Sequence, residues 1–304
     1  MSINQNHIGF NITNSRLQLV EVGCEGSKYF IENIDEEYYN NFFDLSDKET
    51  KIITLLEDAF NELVLRKQLN TNNVSFTLPN KFFRILEIPY EETLLKEDLT
   101  ESLKWNLSVL FPETTSDEYV IQHILVEDSK FLQQKNAIII GINRKFLKIL
   151  HKFCTRNNLV LRFIDNVHIA SNTISLLHSE AEKNILNFYF EEKSFSVCLL
   201  ENSKPIHFAV KKCNSANDIV DGLKAAYDKV NKIIPEENID DYFISGENIS
   251  AALCKQVNTI FGCDVKKLNP FHGVKTMPDL ADNDLLNSKF SSFTASTGIS
   301  IRIY

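Results

Sequence analysis

One pattern recurs in this chain and limits what it can fold into: three short apolar runs separated by turns, followed by a long helical stretch. The first set is Ile8, Phe10 and Ile12, then Leu17, Leu19 and Val22, then Tyr29, Phe30 and Ile31, broken at Asn14-Ser15 and over residues 23–27. Such short runs, largely apolar at alternate positions, read as β-strands. Ile52, Ile53, Leu56, Ala59, Phe60, Leu63 and Val64 return at helical spacing, which predicts a helix over 47–69 with Ser46 or Asp47 as its cap. The order repeats later, with strands over 185–190, 195–200 and 205–211, a turn at Glu201-Asn202-Ser203-Lys204, and a helix over 216–233. A meander followed by a helix, used twice, predicts an α/β chain of two lobes facing each other across a cleft.

Between the two repeats the pattern changes. FFRILEIP at 82–89 opens a new strand, then come a helix over 93–109, strands YVIQHILV at 119–126 and NAIIIGI at 136–142, and a helix over 144–156. This reads as a compact α+β insert. A strand at 159–164 and a helix at 165–178 join the lobes, and YFIS at 242–245 ends in Gly246 ahead of a helix over 249–261. The chain of 304 residues has room for this plan. It divides into a first lobe of 1–80 with 159–180, an inserted subdomain of 81–158, and a second lobe of 181–304.

Charge and cysteine usage remove whole classes of function. A formal net charge of −9 repels a phosphate-rich polymer, so no nucleic-acid partner is expected. No apolar run is long enough to cross a bilayer, and MSINQNHIGFNI lacks the features of a secretory signal, so a cytoplasmic location is expected. Cys24, Cys154, Cys198, Cys213, Cys254 and Cys263 never approach metal-ligand spacing, which predicts buried thiols and no metal site. The 7 histidines form no nucleophile constellation, and no catalytic residue is nominated. The helix over 144–156 carries Arg144, Lys145, Lys148, Lys152 and Arg156 around an apolar face, a pattern that suits anionic headgroups or a merely solvated face.

Four blocks resemble the PilM family, the actin-like proteins of type IV pilus assembly, relatives of FtsA. IGFNITNSRLQLVEV is similar to that family's first phosphate loop and the strand after it. LPNKFFRILEIPY with LTESLKWNLSVLFPE resembles its Leu-Pro strand and Trp-bearing helix, and KPIHFAVKK its strand after the second meander. FISGENISAAL with CDVKKLNPF and ASTGISIR resembles its adenosine loop and closing helix. The resemblance implies a two-lobed actin-like (ribonuclease H-like) fold with an α+β subdomain inserted in the first lobe. It places residual nucleotide contacts at Asn11, Asn14, Ser15, Gly246 and Gly298, although Asn14-Ser15 is equally a plain turn.

The departures from the family bear on chemistry. Its metal-holding acid is Asn11 here, the following glycine is Thr13 and its basic residue is Gln18, while FYFEEKS replaces the second loop, with Tyr189, Glu191 and Glu192 where Asp and Gly belong. Glu247 stands at the second adenosine glycine. Amides and added carboxylates suit a Mg–triphosphate poorly. No cofactor is therefore expected, with ATP as a weak occupant the alternative, and the chain reads as a pseudo-ATPase.

By resemblance it is a scaffold at the inner face of the inner membrane, gripping the cytoplasmic tail of a PilN-like single-pass protein, with self-association open. Trp105, Leu103 and Leu107 are the groove candidates, with core packing the alternative for Trp105. The rival readings are an ATP-binding actin-like ATPase with weak turnover, an FtsA-type division scaffold, and the actin-like half of a secretion platform. The chain ends at Tyr304, so the C-terminal amphipathic anchor of FtsA is not expected.

Overall fold

The computed structural model describes residues 6–25, 28–41, 43, 47–112, 118–180, 182–280 and 282–302. Strands β1 (His7–Ile12), β2 (Arg16–Glu25) and β3 (Lys28–Tyr38) form an antiparallel meander, followed by α1 (Glu49–Arg66) and β4 (Asn73–Leu78). Next come β5 (Phe83–Pro89), α2 (Lys96–Leu110), β6 (Tyr119–Val126), β7 (Asn136–Asn143), α3 (Arg144–Arg156), β8 (Val160–Asn166) and α4 (Val167–Leu177). The second meander is β9 (Asn184–Glu191), β10 (Ser194–Glu201) and β11 (Lys204–Lys212), then α5 (Ala216–Ile233), β12 (Asp241–Gly246) and α6 (Ala251–Phe261). Two short strands, β13 (Lys266–Lys267) and β14 (Lys275–Thr276), precede α7 (Asp284–Asn287) and α8 (Thr294–Ile301).

The two halves repeat one topology. The first sheet runs β14-β3-β2-β1-β4-β8 and the second β11-β10-β9-β12-β13; in each, an antiparallel meander continues into parallel strands. The hairpin between β10 and β11 turns at Asn202 and Ser203, with φ of 49° and 67°, the positive pair a two-residue hairpin turn requires. Alternation on β1 sorts its neighbours. Ile8, Phe10 and Ile12 enter a core with Phe76, Phe60 and Phe153 from β4, α1 and α3, while Asn11 belongs to the opposite face.

The third sheet, β5-β7-β6, is antiparallel and sandwiched. Leu99 and Leu103 of α2 cover one face at Ala137 and Ile139, and Val126 and Ile138 of β6 and β7 join the core of the second lobe. Glu87 of β5 ties the layers by accepting from His207 Nδ1 at 2.9 Å and from the Phe208 amide.

Three features differ from the expectations, two in the division and one in a helix cap. Helix α3, grouped with the insert, packs against α1 in the first lobe's core. Strand β14 pairs with β3, and α8 packs on α4 and β1, so parts of 181–304 return to the first sheet. Helix α1 starts after Lys48 with no side-chain cap, whereas Asp47 pairs with Lys51 at 2.8 Å; Ser46 lies outside the described residues.

Candidate functional site

Both meanders turn toward the cleft between the sheets. The loop joining β1 to β2, the hairpin joining β9 to β10 and the turn after β12 converge there, and their residues line a cavity of about 170 Å³. Asn11, Asn14, Ser15, Arg16, Tyr189, Glu191, Glu192, Glu247 and Asn248 belong to its wall. Pockets that bury a nucleotide-sized ligand run from about 300 Å³ upward, and this space is little more than half of that.

The first loop has satisfied its own donors. Thr13 Oγ1 accepts from the amides of Ser15 at 3.2 Å and Arg16 at 3.0 Å and donates to the Arg16 carbonyl. A phosphate-binding loop leaves such amides pointing at the anion. Here the Thr13 hydroxyl has consumed them. Asn11 is likewise spent, since its Nδ2 donates to Gln18 Oε1 at 2.8 Å and its Oδ1 accepts from Thr77 Oγ1 at 2.9 Å.

The centre of the arrangement is Arg16, which sequence reasoning passed over in favour of Gln18. Its Nη2 donates to Glu247 Oε2 at 2.6 Å, and its Nε lies 2.8 Å from Glu36 Oε2. Glu36 also meets Lys289 Nζ at 2.7 Å, and the Arg16 guanidinium lies 5.5 Å over the Tyr38 ring. Burial alone would lower the Arg16 pKa, yet Glu247 and Glu36 outweigh it and hold it above its ordinary value. Burial pushes the Glu247 carboxyl up, against the pull of Arg16.

The second loop behaves in the same way. Glu191 faces Asn80 and Ser194 rather than an incoming anion: its oxygens accept from the Asn80 amide at 3.1 Å, Asn80 Nδ2 at 2.5 Å and Ser194 Oγ at 2.9 Å. Glu192 accepts from Asn14 Nδ2 at 3.3 Å. Tyr189, wholly buried, stacks on His168, with ring centroids 5.8 Å apart, and burial raises its hydroxyl well above the ordinary pKa. Among the described residues no cluster of three His, Cys, Asp or Glu is placed to hold a metal ion.

The five candidate nucleotide residues divide. Asn11, Asn14 and Ser15 line the cavity, and Gly246 and Gly298 do not. Gly246 has φ of +102°, and a Cβ there would come within 2.1 Å of the Phe190 carbonyl oxygen, so strand pairing explains it. At Gly298 a Cβ would lie 2.0 Å from the Ala170 carbonyl oxygen, so this glycine lets α8 cross α4. These residues do not fit a magnesium nucleotide: the volume is small, the amides are capped and the acids are engaged.

The groove candidates also separate. Leu103 and Leu107 are buried beneath α2, whereas Trp105 is 64% exposed on its outer face, beside Val109 one turn on. The three line no common groove, and core packing does not describe Trp105 either. No helix among the described residues is long and apolar enough to cross a membrane.

Two sheets of one topology, with a cleft between their hairpins, define the actin-like ATPase fold, and this chain has it. No family model matches the sequence, and no curated protein matches it. Among solved structures it is similar to one described as a PilM-PilN type IV pilus biogenesis complex, at 16% identity and a TM-score of 0.71, covering 97% of this chain and 98% of that one. It is also similar to a Bacteroides thetaiotaomicron protein of actin-like ATPase fold and unknown function, at 13% identity and a TM-score of 0.52, covering 88% and 92%.

Proposed function

We propose that this chain is an actin-like scaffold of a type IV pilus or related secretion assembly, working without ATP hydrolysis. It holds the short cytoplasmic tail of a PilN-like membrane protein at the inner face of the inner membrane. What carries the reading is a fold similar end to end to the one in a PilM-PilN complex, combined with a cleft occupied by the chain's own Arg16, Glu36 and Glu247. A protein that fills its nucleotide site with internal ion pairs retains its shape as its product.

The insert supplies the partner surface in this reading, taken as about residues 81–158 and narrowed to the third sheet and α2. Trp105 and Val109 lie at i and i+4 on the outer face of α2, an aromatic anchor of the sort that dominates peptide affinity. Leu103 and Leu107 hold the helix onto its sheet.

Two calorimetric titrations test this. A synthetic peptide copying the cytoplasmic tail of a PilN-like protein is expected to bind, and Trp105→Ala to weaken it by about tenfold or more. ATP is expected to give no magnesium-dependent heat. Submicromolar, magnesium-dependent ATP binding overturns the non-hydrolytic reading, and a peptide that gives no heat overturns the scaffold reading.

A further inference from the structure

The cleft and α2 leave one sequence feature unused, the basic helix α3. Its apolar side chains are committed to packing: Ile149, Leu150, Phe153 and Cys154 are buried in the first lobe's core, with Phe146 and Leu147 partly buried against it. Turned outward are Arg144, Lys145, Lys148, His151, Lys152, Thr155 and Arg156, all exposed. The helix holds no Asp or Glu, in a chain whose 41 acidic residues outnumber its 32 Lys and Arg. Its first residue is Arg144, although a helix N-terminus disfavours cations. Helix formation alone does not explain this charge distribution.

Part of the charge is neutralised by α1. Lys152 lies 2.5 Å from Glu49, and Arg156 lies 3.4 Å from Glu57. Lys145 and Lys148 have no ion pair among the described residues, so the positive potential is concentrated toward the helix's N-terminal half.

We propose that the exposed face of α3 is an electrostatic docking surface for an anionic lipid bilayer. A helix of 13 residues presents a straight row about 20 Å long. Specific protein interfaces need an apolar or aromatic centre, and this face has none, because every large apolar side chain of α3 points into the core. Long flexible cations without a socket suit a fluid plane of negative charge. Because the chain as a whole carries a net charge of −9, an anionic surface attracts this face while repelling the rest on average, which favours one orientation. The fully packed apolar side of α3 means surface attachment without insertion, unlike an amphipathic helix that buries its apolar stripe in lipid.

The inference rests on the membrane-proximal reading of function, but its test uses the full chain without the partner peptide. Sedimentation is compared on vesicles of phosphatidylcholine alone and of phosphatidylcholine with 30% phosphatidylglycerol. Binding to the anionic vesicles only is expected, falling steeply between about 50 and 300 mM salt. Lys145→Gln with Lys148→Gln should weaken it by about tenfold or more, at about one factor of five per basic side chain. The matching change at Lys224 and Lys232 of α5 should leave it intact, and circular dichroism confirms that both variants fold. Lack of binding to anionic vesicles at low salt overturns the proposal, as does binding that the α3 variant retains. Capture by polyglutamate without binding to vesicles overturns it in favour of an acidic protein partner. Failure here leaves the peptide titration standing, and failure of the peptide leaves vesicle binding standing.

Discussion

Removing the Arg16 guanidinium strands Glu247 and leaves Glu36 to Lys289 and Gln18. The Glu247 side chain is only 13% exposed, so Arg16→Ala leaves its carboxylate buried without a cation, near a Glu36 that Lys289 alone still neutralises. Loss of one partner from a buried ion pair costs about 3–5 kcal/mol, and a drop of at least about 3 kcal/mol is expected in urea unfolding. Glu21 on β2 gives a second test, this time of pH. Its side chain is fully buried, with Oε1 accepting from the Asn70 amide at 2.9 Å. Burial, with Glu32 adding to it, pushes its pKa up from 4.5 to about 7. The folded value lies above the unfolded one, so this carboxyl favours folding below pH 4.5, and that contribution is lost as pH rises toward 7. Burial acts in the opposite direction on His7, lowering it from 6.5 to about 4, so its contribution is complete above 6.5 and is lost as pH falls toward 4. The readout is therefore the difference between wild type and Glu21→Gln. The variant should gain stability relative to wild type as pH rises from 4.5 to 7, by on the order of 3 kcal/mol in total.

At the scale of elements, those with a clear period were legible in the sequence. Helix α5 and strand β6 fall at their expected bounds, because the apolar spacing is regular and Ser215 caps α5 with Asp218 in a reciprocal pair. Strand β3 runs to Tyr38, further than the apolar triplet at 29–31 indicated, because its acidic second half is paired along β2 and held by Arg66 at Asp35 and Glu37. The return of α8 to the first sheet was not legible. Thr294, Ala295, Ser296, Thr297, Gly298 and Ser300 are small and nearly all buried, so α8 has no polar face to reveal its orientation. It is read from the contact it permits. Gly298→Ala sets a Cβ against the backbone carbonyl of Ala170, which cannot rotate away, and should cost about 1–3 kcal/mol by forcing α8 off α4. Thermal unfolding measures it, and a change within a few tenths of a kcal/mol means the helices can separate without penalty.

Across the whole molecule, several residues lining the cleft were legible in the sequence, whereas the ion pairs they sit among were not. Asn11, Asn14 and Ser15 line its wall together with Arg16, a cation two residues before Gln18 that the motif comparison did not single out. Single-sequence reading could not pair Arg16 with Glu247, since 231 residues separate them. The same distance makes the pair informative about the lobes. Arg16 to Glu247, Asn14 to Glu192, Asn80 to Glu191 and Ser196, and His168 to Ser196 at 2.7 Å form one polar seam from the first half to the second. A cleft that must admit and release a nucleotide is held by contacts that open, whereas this seam, apart from the exposed Asn14–Glu192 contact, is buried or partly buried, and breaking its buried contacts strands polar groups. The halves should therefore unfold together, as a single calorimetric transition with equal van't Hoff and calorimetric enthalpies despite two sheets and 304 residues. Arg16→Ala combined with Asn80→Ala removes the middle of the seam. It should split or broaden that transition and raise amide exchange at β9 and β12, which neither core requires the cleft to hold. Two transitions already present in the wild type would mean that the seam does not couple the lobes, and with that a rigid scaffold loses its physical basis.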